Sequence, residues 1–338
     1  MLKDEAARCL AFVAIHSTRM GPAFGGIRLH AYPAPEDALR DALDLAQAMT
    51  LKCAMAGVPG GGGKTVIVAR PDLDRAAAYR LVGRFVELMG GRYYTGPDVG
   101  TDAADLEVVA RHTSYVARPG EGGPGPLAEP TALGVFAGIS ATARRLGFDD
   151  LDGVAVAVQG LGDVGYRLSE MLRSAGARLI VADLRGERAA RAADELGAEV
   201  VSVDDVAFAA CDVFAPCALG GVIDEGVAAR LRARAVAGSA NNVLADAATG
   251  AAMFERGVLF APDFVINAGA LIHGALYHID GASPPPARIE AIGDVVGEIL
   301  DRATRERCPP EVLAERMARR RVADSPPGPF IPDGRMMS

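Results

Sequence analysis

Short β-branched runs separated by helical segments constrain this chain more than any other feature. The runs are Val154–Val158, Arg178–Ala182, Val213–Ala215, Ala235–Ala237 and Val258–Phe260, with helical periodicity near Val164–Ser174, Glu187–Leu196 and Asp224–Ala233 between most of them. Strands alternating with helices at this spacing need crossover connections, which predicts a parallel sheet flanked by helices. Within this region Gly160-Leu161-Gly162-Asp163-Val164-Gly165 forms a complete G-x-G-x-x-G, directly after the first strand and at the start of a helix that closes at Gly176. Alone the motif is weak, but in this context it predicts a dinucleotide-binding turn. Gly160 permits the tight turn, Gly162 lets the backbone approach a pyrophosphate, and Gly165 lets helix and strand pack closely. Asp163 and Val164 then open a helix whose positive end faces the phosphates.

Asp183 ends the next strand, 18 residues beyond Gly165. A carboxylate there can accept hydrogen bonds from both ribose hydroxyls, which points to NAD; Arg185 and Arg188 keep open the alternative of pairing a 2′-phosphate.

The region before this one mixes strands and helices. Leu10–Ser17 and Gly25–His30 read as strands, and Pro35–Met49 as a helix with Leu39, Leu43, Ala46 and Met49 on one face. Lys64–Ala69 reads as a strand after the run Gly60–Gly63, and a further helix extends from Asp72 to about Leu88. The segment Arg118–Pro130 holds four prolines and four glycines in thirteen positions, which marks a domain boundary. Thr131–Leu146 reads as a helix, Ala287–Arg321 as a helical tail, and the last residues are expected to fray.

A chain of 338 residues is long enough for about two domains, and 50% apolar with 23% charged residues excludes disorder as its main state. The net charge of −8 and the absence of basic clusters speak against nucleic acid or a membrane surface as partner. No apolar run reaches the ~18 residues of a membrane span, and the charged start MLKDEAARCL is unlike a signal peptide, so a cytoplasmic protein is expected. Five scattered cysteines without a C-x-x-C pair read as free thiols, with no metal site.

Gly60–Gly63 followed by Lys64-Thr65 invites a phosphate-loop reading, but that pattern needs glycine where Val58 stands, and Thr65–Val68 is β-prone where a helix is required. Glycines beside Lys64 instead let a small substrate lie against the backbone next to the amine. Lys52 precedes it by twelve residues, after the helical stretch. If both amines face one cleft, each opposes protonation of the other and one can serve as a base; a solvated surface charge is the commoner fate of a lysine. Asp98 lies in the turn-rich TGPDVGT, where local pattern favours a turn or helix cap over catalysis.

Taken together, these stretches resemble the Glu/Leu/Phe/Val amino acid dehydrogenase superfamily, especially its leucine and phenylalanine dehydrogenase branch. The resemblance is carried, in family order, by GPAFGGIRLH, MTLKCAMAGVPGGGGKTVI, TGPDVGT, VAVQGLGDVG, CDVFAPCALGG, AGSANN and APDFVINAGALI. It implies an α/β fold with an N-terminal substrate (dimerisation-type) domain, a Rossmann-like doubly wound NAD-binding domain and a cleft between them. The expected divisions are residues 1–128, 131–272 and, for C-terminal helices packing back toward the first domain, 273–338. It implies reversible oxidative deamination of an L-amino acid to a 2-oxo acid and ammonia, with NAD as hydride acceptor, in a homo-oligomer of at least two subunits. Lys52 would bind the α-carboxylate, Lys64 would activate water, and Asp98 would relay protons with it. Thr131, Asp183, Ala218, Asn242 and Asn267 would line the cofactor or hold the carboxamide and substrate, with Asn267 on the substrate side.

Substrate choice rests on fewer positions. Glutamate-specific members carry a lysine where Phe24 stands, just before Gly25, so a distal carboxylate would lose its partner and a hydrophobic substrate is expected. Gly96 and Leu271 look more like phenylalanine-using members, whereas the bulk of Phe24 favours a smaller side chain. The chain departs from the family in its shortened leading segment, which leaves oligomer size open, and in Cys53 and Gly269-Ala270 near the expected site. A catalytically weak NAD-binding protein or sensor of the same fold is the alternative reading.

Overall fold

The computed structural model describes residues 1–118, 122–218 and 220–326. Part of the Pro/Gly-rich segment, Leu219 and the tail expected to fray lie outside the described residues. The chain divides into two compact units. The first comprises Met1–Pro126, Leu271–Pro284 and the described part of Ala318–Ser338; the second comprises Leu127–Ala270 and Pro285–Met317.

The first unit is built on a mixed sheet of β1 (Leu2–Asp4), β2 (Cys9–Ser17), β3 (Ala23–Phe24), β4 (Ile27–His30), β5 (Gly61–Val68) and β6 (Tyr93–Tyr94). The order is β1-β2-β5-β3-β6 with β4 also on β5; β1 and β2 pair antiparallel, and β3 and β4 run parallel to β5. Residues of β5 alternate between faces. Val66 and Val68 pack with Ala38, Ala42 and Ala46 of α1 (Pro35–Ala56). Ile67 packs on the other side with Tyr79, Val82 and Val86 of α2 (Arg75–Leu88) and Leu106 and Val109 of α3 (Ala103–Ala110).

Helix α1 corrects two expectations. Its buried face is Ala38, Ala42, Ala46, Thr50 and Cys53, while Leu39 and Leu43 are 41% and 54% exposed. The reason is the closeness of the helix to β5: a Cβ on Gly62 would fall 2.2 Å from the Ala46 carbonyl oxygen and from the Thr50 nitrogen. Only small side chains fit such an approach, so alanines take the inner face and the leucines turn outward. The helix also continues past Met49 until Gly57 ends it with φ 62°, which puts Lys52 inside it. Likewise β5 begins at Gly61, so Gly61–Gly63 of the glycine run belong to the strand, and Gly25 lies outside β4. Asp74, two residues beyond the expected start, caps α2 by accepting from the Ala77 amide at 3.0 Å.

The second unit is built on an all-parallel sheet of β7 (Ala155–Gln159), β8 (Arg178–Ala182), β9 (Glu199–Val200), β10 (Val213–Pro216), β11 (Ala235–Val236) and β12 (Leu259–Phe260). The strand order β12-β11-β10-β7-β8-β9 reverses direction between β7 and β10, as in a doubly wound dinucleotide fold. Its helices are α4 (Ala128–Arg145), α5 (Asp163–Ser174), α6 (Gly186–Leu196), α7 (Glu225–Arg230), α8 (Ala247–Glu255) and α9 (Asp263–Ile266). Helix α4 begins three residues before the expected Thr131, because Pro130 is tolerated in a first turn whose amides have no helical acceptor. The tail forms α10 (Gly269–Asp280), α11 (Pro286–Glu290), α12 (Ile292–Glu306) and α13 (Pro310–Asp324). No described helix is long and apolar enough to cross a membrane.

The inner face of α1 gives a direct test. Ala42→Leu should destabilise the chain by about 1–3 kcal/mol through overpacking, whereas Leu43→Gln should change stability by no more than ~0.5 kcal/mol. Denaturant unfolding of both variants checks the assignment, and the reverse ranking would refute it.

Candidate functional site

Lys64 shares the alternation of Val66 and Val68 on β5, so its side chain leaves the sheet on the α1 side. That side chain is 7% exposed, and its ammonium lies 2.7 Å from Asp98 Oδ2. Asp98 comes from the loop between β6 and α3, which approaches because position 26 is glycine: a Cβ there would fall 2.4 Å from the Pro97 carbonyl oxygen and 2.9 Å from Asp98 Cβ. The aspartate is therefore no helix cap; Asp102 caps α3 by accepting from the Asp105 amide.

The same Asp98 oxygen accepts from Arg28 Nε at 3.0 Å. Arg28, on β4, also donates through Nη1 to both oxygens of Asp41 on α1, at 3.3 and 3.1 Å. The Tyr32 hydroxyl donates to Asp41 in turn. Sequence reasoning missed Arg28, Asp41 and Tyr32 as site residues. Arg28 and Asp98 are 70 residues apart, and nothing in local spacing pairs them; the one signal was that Arg28 lies within the stretch GPAFGGIRLH.

Burial pulls the Lys64 amine below its ordinary value; the charge of Asp98 resists this and Arg28 reinforces it. Burial pushes the Asp98 carboxyl up, but Lys64 and Arg28 together outweigh burial and hold it below the usual carboxylate value. Arg28 is a cation that opposes the Lys64 proton, the effect that the sequence reading expected of Lys52. Lys52 itself is half-buried near the end of α1. The last turn of that helix is held by Arg321 of α13, whose Nη1 donates to the carbonyls of Ala54 and Met55 at 3.4 and 3.3 Å. Next to Lys52, the Cys53 thiol donates to the Gly61 carbonyl, and burial pushes its pKa up to about 12.

The expected substrate positions of the first unit have the following surroundings. The Gly25 carbonyl accepts from the Tyr93 hydroxyl at 3.1 Å. Phe24 is buried with its ring stacked on Tyr94 at 5.3 Å, and Tyr94 meets Tyr115 edge-on and His278 at a tilt. Gly96 lies against Ala117, and Leu271 is half-buried on α10. Asn267 belongs to the second unit, where its Nδ2 donates to the Ser239 carbonyl at 3.1 Å and to Asn241 Oδ1 at 2.7 Å.

In the second unit the glycine turn has the form its motif requires. Gly160 takes φ +93°, and a Cβ there would fall 2.7 Å from Ala218 Cβ. A Cβ on Gly165 would fall 1.9 Å from the Gly160 carbonyl oxygen. Gly162 caps α5 with no side-chain hydrogen bond, so the amides of the first turn, which holds Asp163 and Val164, face outward for an anion. At the end of β7, Gln159 keeps a buried Oε1 without a partner. These features fit a dinucleotide. Asp183 serves the turn as well: Oδ2 accepts from the Leu161 amide at 2.7 Å and Oδ1 from the Arg185 amide at 2.8 Å, with Arg188 Nη1 3.9 Å away. Thr131 lies in the first turn of α4 and donates to the Leu127 carbonyl, and Asn242 takes φ 51° with its carbonyl accepting from the Gly221 amide.

Residues 1–115 match the family model described as Glu/Leu/Phe/Val dehydrogenase, dimerisation domain, and residues 186–283 match that described as Glutamate/Leucine/Phenylalanine/Valine dehydrogenase. The chain is 42% identical over 340 residues to a leucine dehydrogenase of Geobacillus stearothermophilus, covering 98% of this chain and 92% of the relative. It is 41% identical over 320 residues to a phenylalanine dehydrogenase of Thermoactinomyces intermedius, covering 92% of this chain and 87% of the relative. A crystal structure of L-tryptophan dehydrogenase from Nostoc punctiforme superposes with a TM-score of 0.83 at 36% identity, covering 96% of this chain and 95% of that one. With both of its units carrying the family's residues in the family's order, the chain belongs to the Glu/Leu/Phe/Val dehydrogenase family.

Proposed function

We propose that the chain catalyses the reversible oxidative deamination of a hydrophobic L-amino acid to its 2-oxo acid and ammonia, with NAD as the cofactor. It is an amino acid dehydrogenase, an oxidoreductase acting on CH–NH2 donors. The observation that carries the reading is the buried Lys64 ammonium on Asp98. An amine whose proton is loosened by burial can take one from water at mildly alkaline pH, and a carboxylate bonded to it can pass that proton on. Lys52 would bind the substrate α-carboxylate. Gly25, Phe24, Gly96 and Leu271 would surround its side chain, and Asn267 would help to orient it. The cofactor, when bound, accepts the hydride from Cα. Gly160, Gly162, Asp163, Val164 and Gly165 would hold its pyrophosphate, Asp183 its ribose, and Thr131, Ala218 and Asn242 its nicotinamide half. The match of the first unit to a dimerisation domain supports an assembly of at least two copies, and the lack of a membrane-crossing helix among the described residues is compatible with a cytoplasmic site of action. A cofactor-binding sensor without turnover has no support from the site, since the lysine and aspartate that turnover would need are both present and paired.

The reading is tested by the absorbance at 340 nm of the protein with NAD and a panel of L-amino acids at alkaline pH. Turnover of at least one of leucine, valine, isoleucine, phenylalanine or methionine is expected, and cofactor binding with no turnover on any of them would overturn it. Lys64→Ala should lower kcat by a factor of ~100 or more while NADH still binds; unchanged turnover would remove Lys64 from the chemistry.

Asp98→Asn leaves a buried cation without its counter-charge and should destabilise the chain at pH 7 by roughly 3 kcal/mol. The Asp98 pKa is lowered in the folded state, so its contribution is fully present above the ordinary carboxylate value and is lost as pH falls through the lowered one. Urea unfolding should therefore show the gap between the two proteins closing in acid; a constant gap would contradict the pairing.

Asp183→Ala should weaken NAD binding about tenfold, through loss of charge-assisted hydrogen bonds. Titration of the protein with each cofactor checks this, and a preference for NADP in the unmodified protein would refute the ribose assignment.

A further inference from the structure

The sequence motif and the proposed reaction leave three polar side chains unused: Arg28, Asp41 and Tyr32. They form a continuous branch behind the Lys64–Asp98 pair. Arg28 Nε and Lys64 Nζ share one oxygen of Asp98, Oδ2, at 3.0 and 2.7 Å. The far side of the guanidinium bridges to Asp41, and Asp41 accepts from the Tyr32 hydroxyl. Register explains the convergence. Ile27 pairs with Thr65 and Arg28 with Val66, so Arg28 and Lys64 leave neighbouring strands on the same face, the one covered by α1, which carries Asp41.

We infer that Arg28, held by Asp41 and Tyr32, is a positioning residue for the proton-transfer couple. It fixes Asp98 through Oδ2 and sets how readily Lys64 gives up its proton. This rests on Lys64 and Asp98 being that couple, as proposed above. Two features make the branch more than a structural brace. A guanidinium can hold two carboxylates at once because its donors form a rigid planar fork, which an ammonium cannot reproduce. The charges alternate along the branch, so its members act on Lys64 with opposite sign: the Arg28 cation opposes the Lys64 proton, and the Asp41 carboxylate favours it. Tyr93 of β6, whose hydroxyl is tied to Thr65, is a further titratable group near Asp98, and α1 carries Lys52 about three turns beyond Asp41.

The test is the pH dependence of kcat/KM for amino acid oxidation in four proteins: unmodified, Arg28→Met, Arg28→Lys and Asp41→Asn. The acid limb reports the ionisation of the free enzyme's base. Removing the cation in Arg28→Met should move that limb to higher pH by about half a unit or more and lower kcat about tenfold or more, with KM for the amino acid changed less than threefold. Removing the carboxylate in Asp41→Asn should move the limb to lower pH. Arg28→Lys restores the charge and should return the limb toward its original position, with kcat only partly recovered. Limbs unmoved in both Arg28→Met and Asp41→Asn, or moved in the same direction, would overturn the inference, because a brace that only stabilises the fold has no reason to act with opposite signs. Asp41→Asn keeps the side-chain shape, so the inference stays testable if Arg28→Met does not fold. A lack of turnover in the unmodified protein, by contrast, would mark failure of the proposed function itself.

Discussion

A lysine ammonium buried in a β-sheet protein is stable only beside a counter-charge, and much of the first unit is arranged to meet that demand. Taking an ammonium out of water costs several kcal/mol, and the penalty is recovered only if the carboxylate sits at hydrogen-bond distance and its own lone pairs are engaged. Asp98 reaches Lys64 because Gly26 leaves its loop room to approach, and it stays ionised because two cations outweigh the effect of burial. Charge pairing thus dictates backbone spacing, and backbone spacing dictates where glycine must stand.

The same rule of close approach governs the covering helix. Alanines line the inner face of α1 because β5 has given up its side chains from Gly61 to Gly63, and the helix lies almost on the strand backbone. The glycines before Lys64 therefore serve the protein's own packing: the space over Gly61 is taken by Ser17, that over Gly62 by Ala46 and Thr50, and that over Gly63 by the Tyr93 ring, where the sequence suggested room for a small substrate. The glycine turn after β7 follows a related principle in the second unit, with main-chain amides in place of an amine as the electropositive element.

Much of this was legible in the residues. The parallel sheet, the turn at Gly160–Gly165 and Asp183 at the end of β8 all follow from local patterns, because alternating strands and helices and a glycine-rich turn are short-range signals. Helix faces were less readable: hydrophobic periodicity placed Leu39 and Leu43 inside α1, whereas packing distance, a tertiary quantity, placed Ala38 and Ala42 there. The ion-pair branch was invisible for a different reason. Arg28 and Lys64 come from two strands, Asp41 from a helix and Asp98 from a loop, and strand register, the covering helix and the loop's approach over Gly26 together assemble them. Pro/Gly-rich boundaries, helix caps and nucleotide turns are written locally; this charge network is written in tertiary contacts.

The carboxylate of Asp183 grips the Leu161 amide and so holds the loop between Gly160 and Gly162. A single side chain therefore fixes the conformation of that loop and also presents negative charge at the strand end. Replacing Asp183 would therefore remove a negative charge at the strand end and release the Leu161 amide in one step. Arg188 lies within ion-pairing range of the same Asp183 oxygen, so a firmer hold by that arginine would offset the charge while the loop stayed anchored.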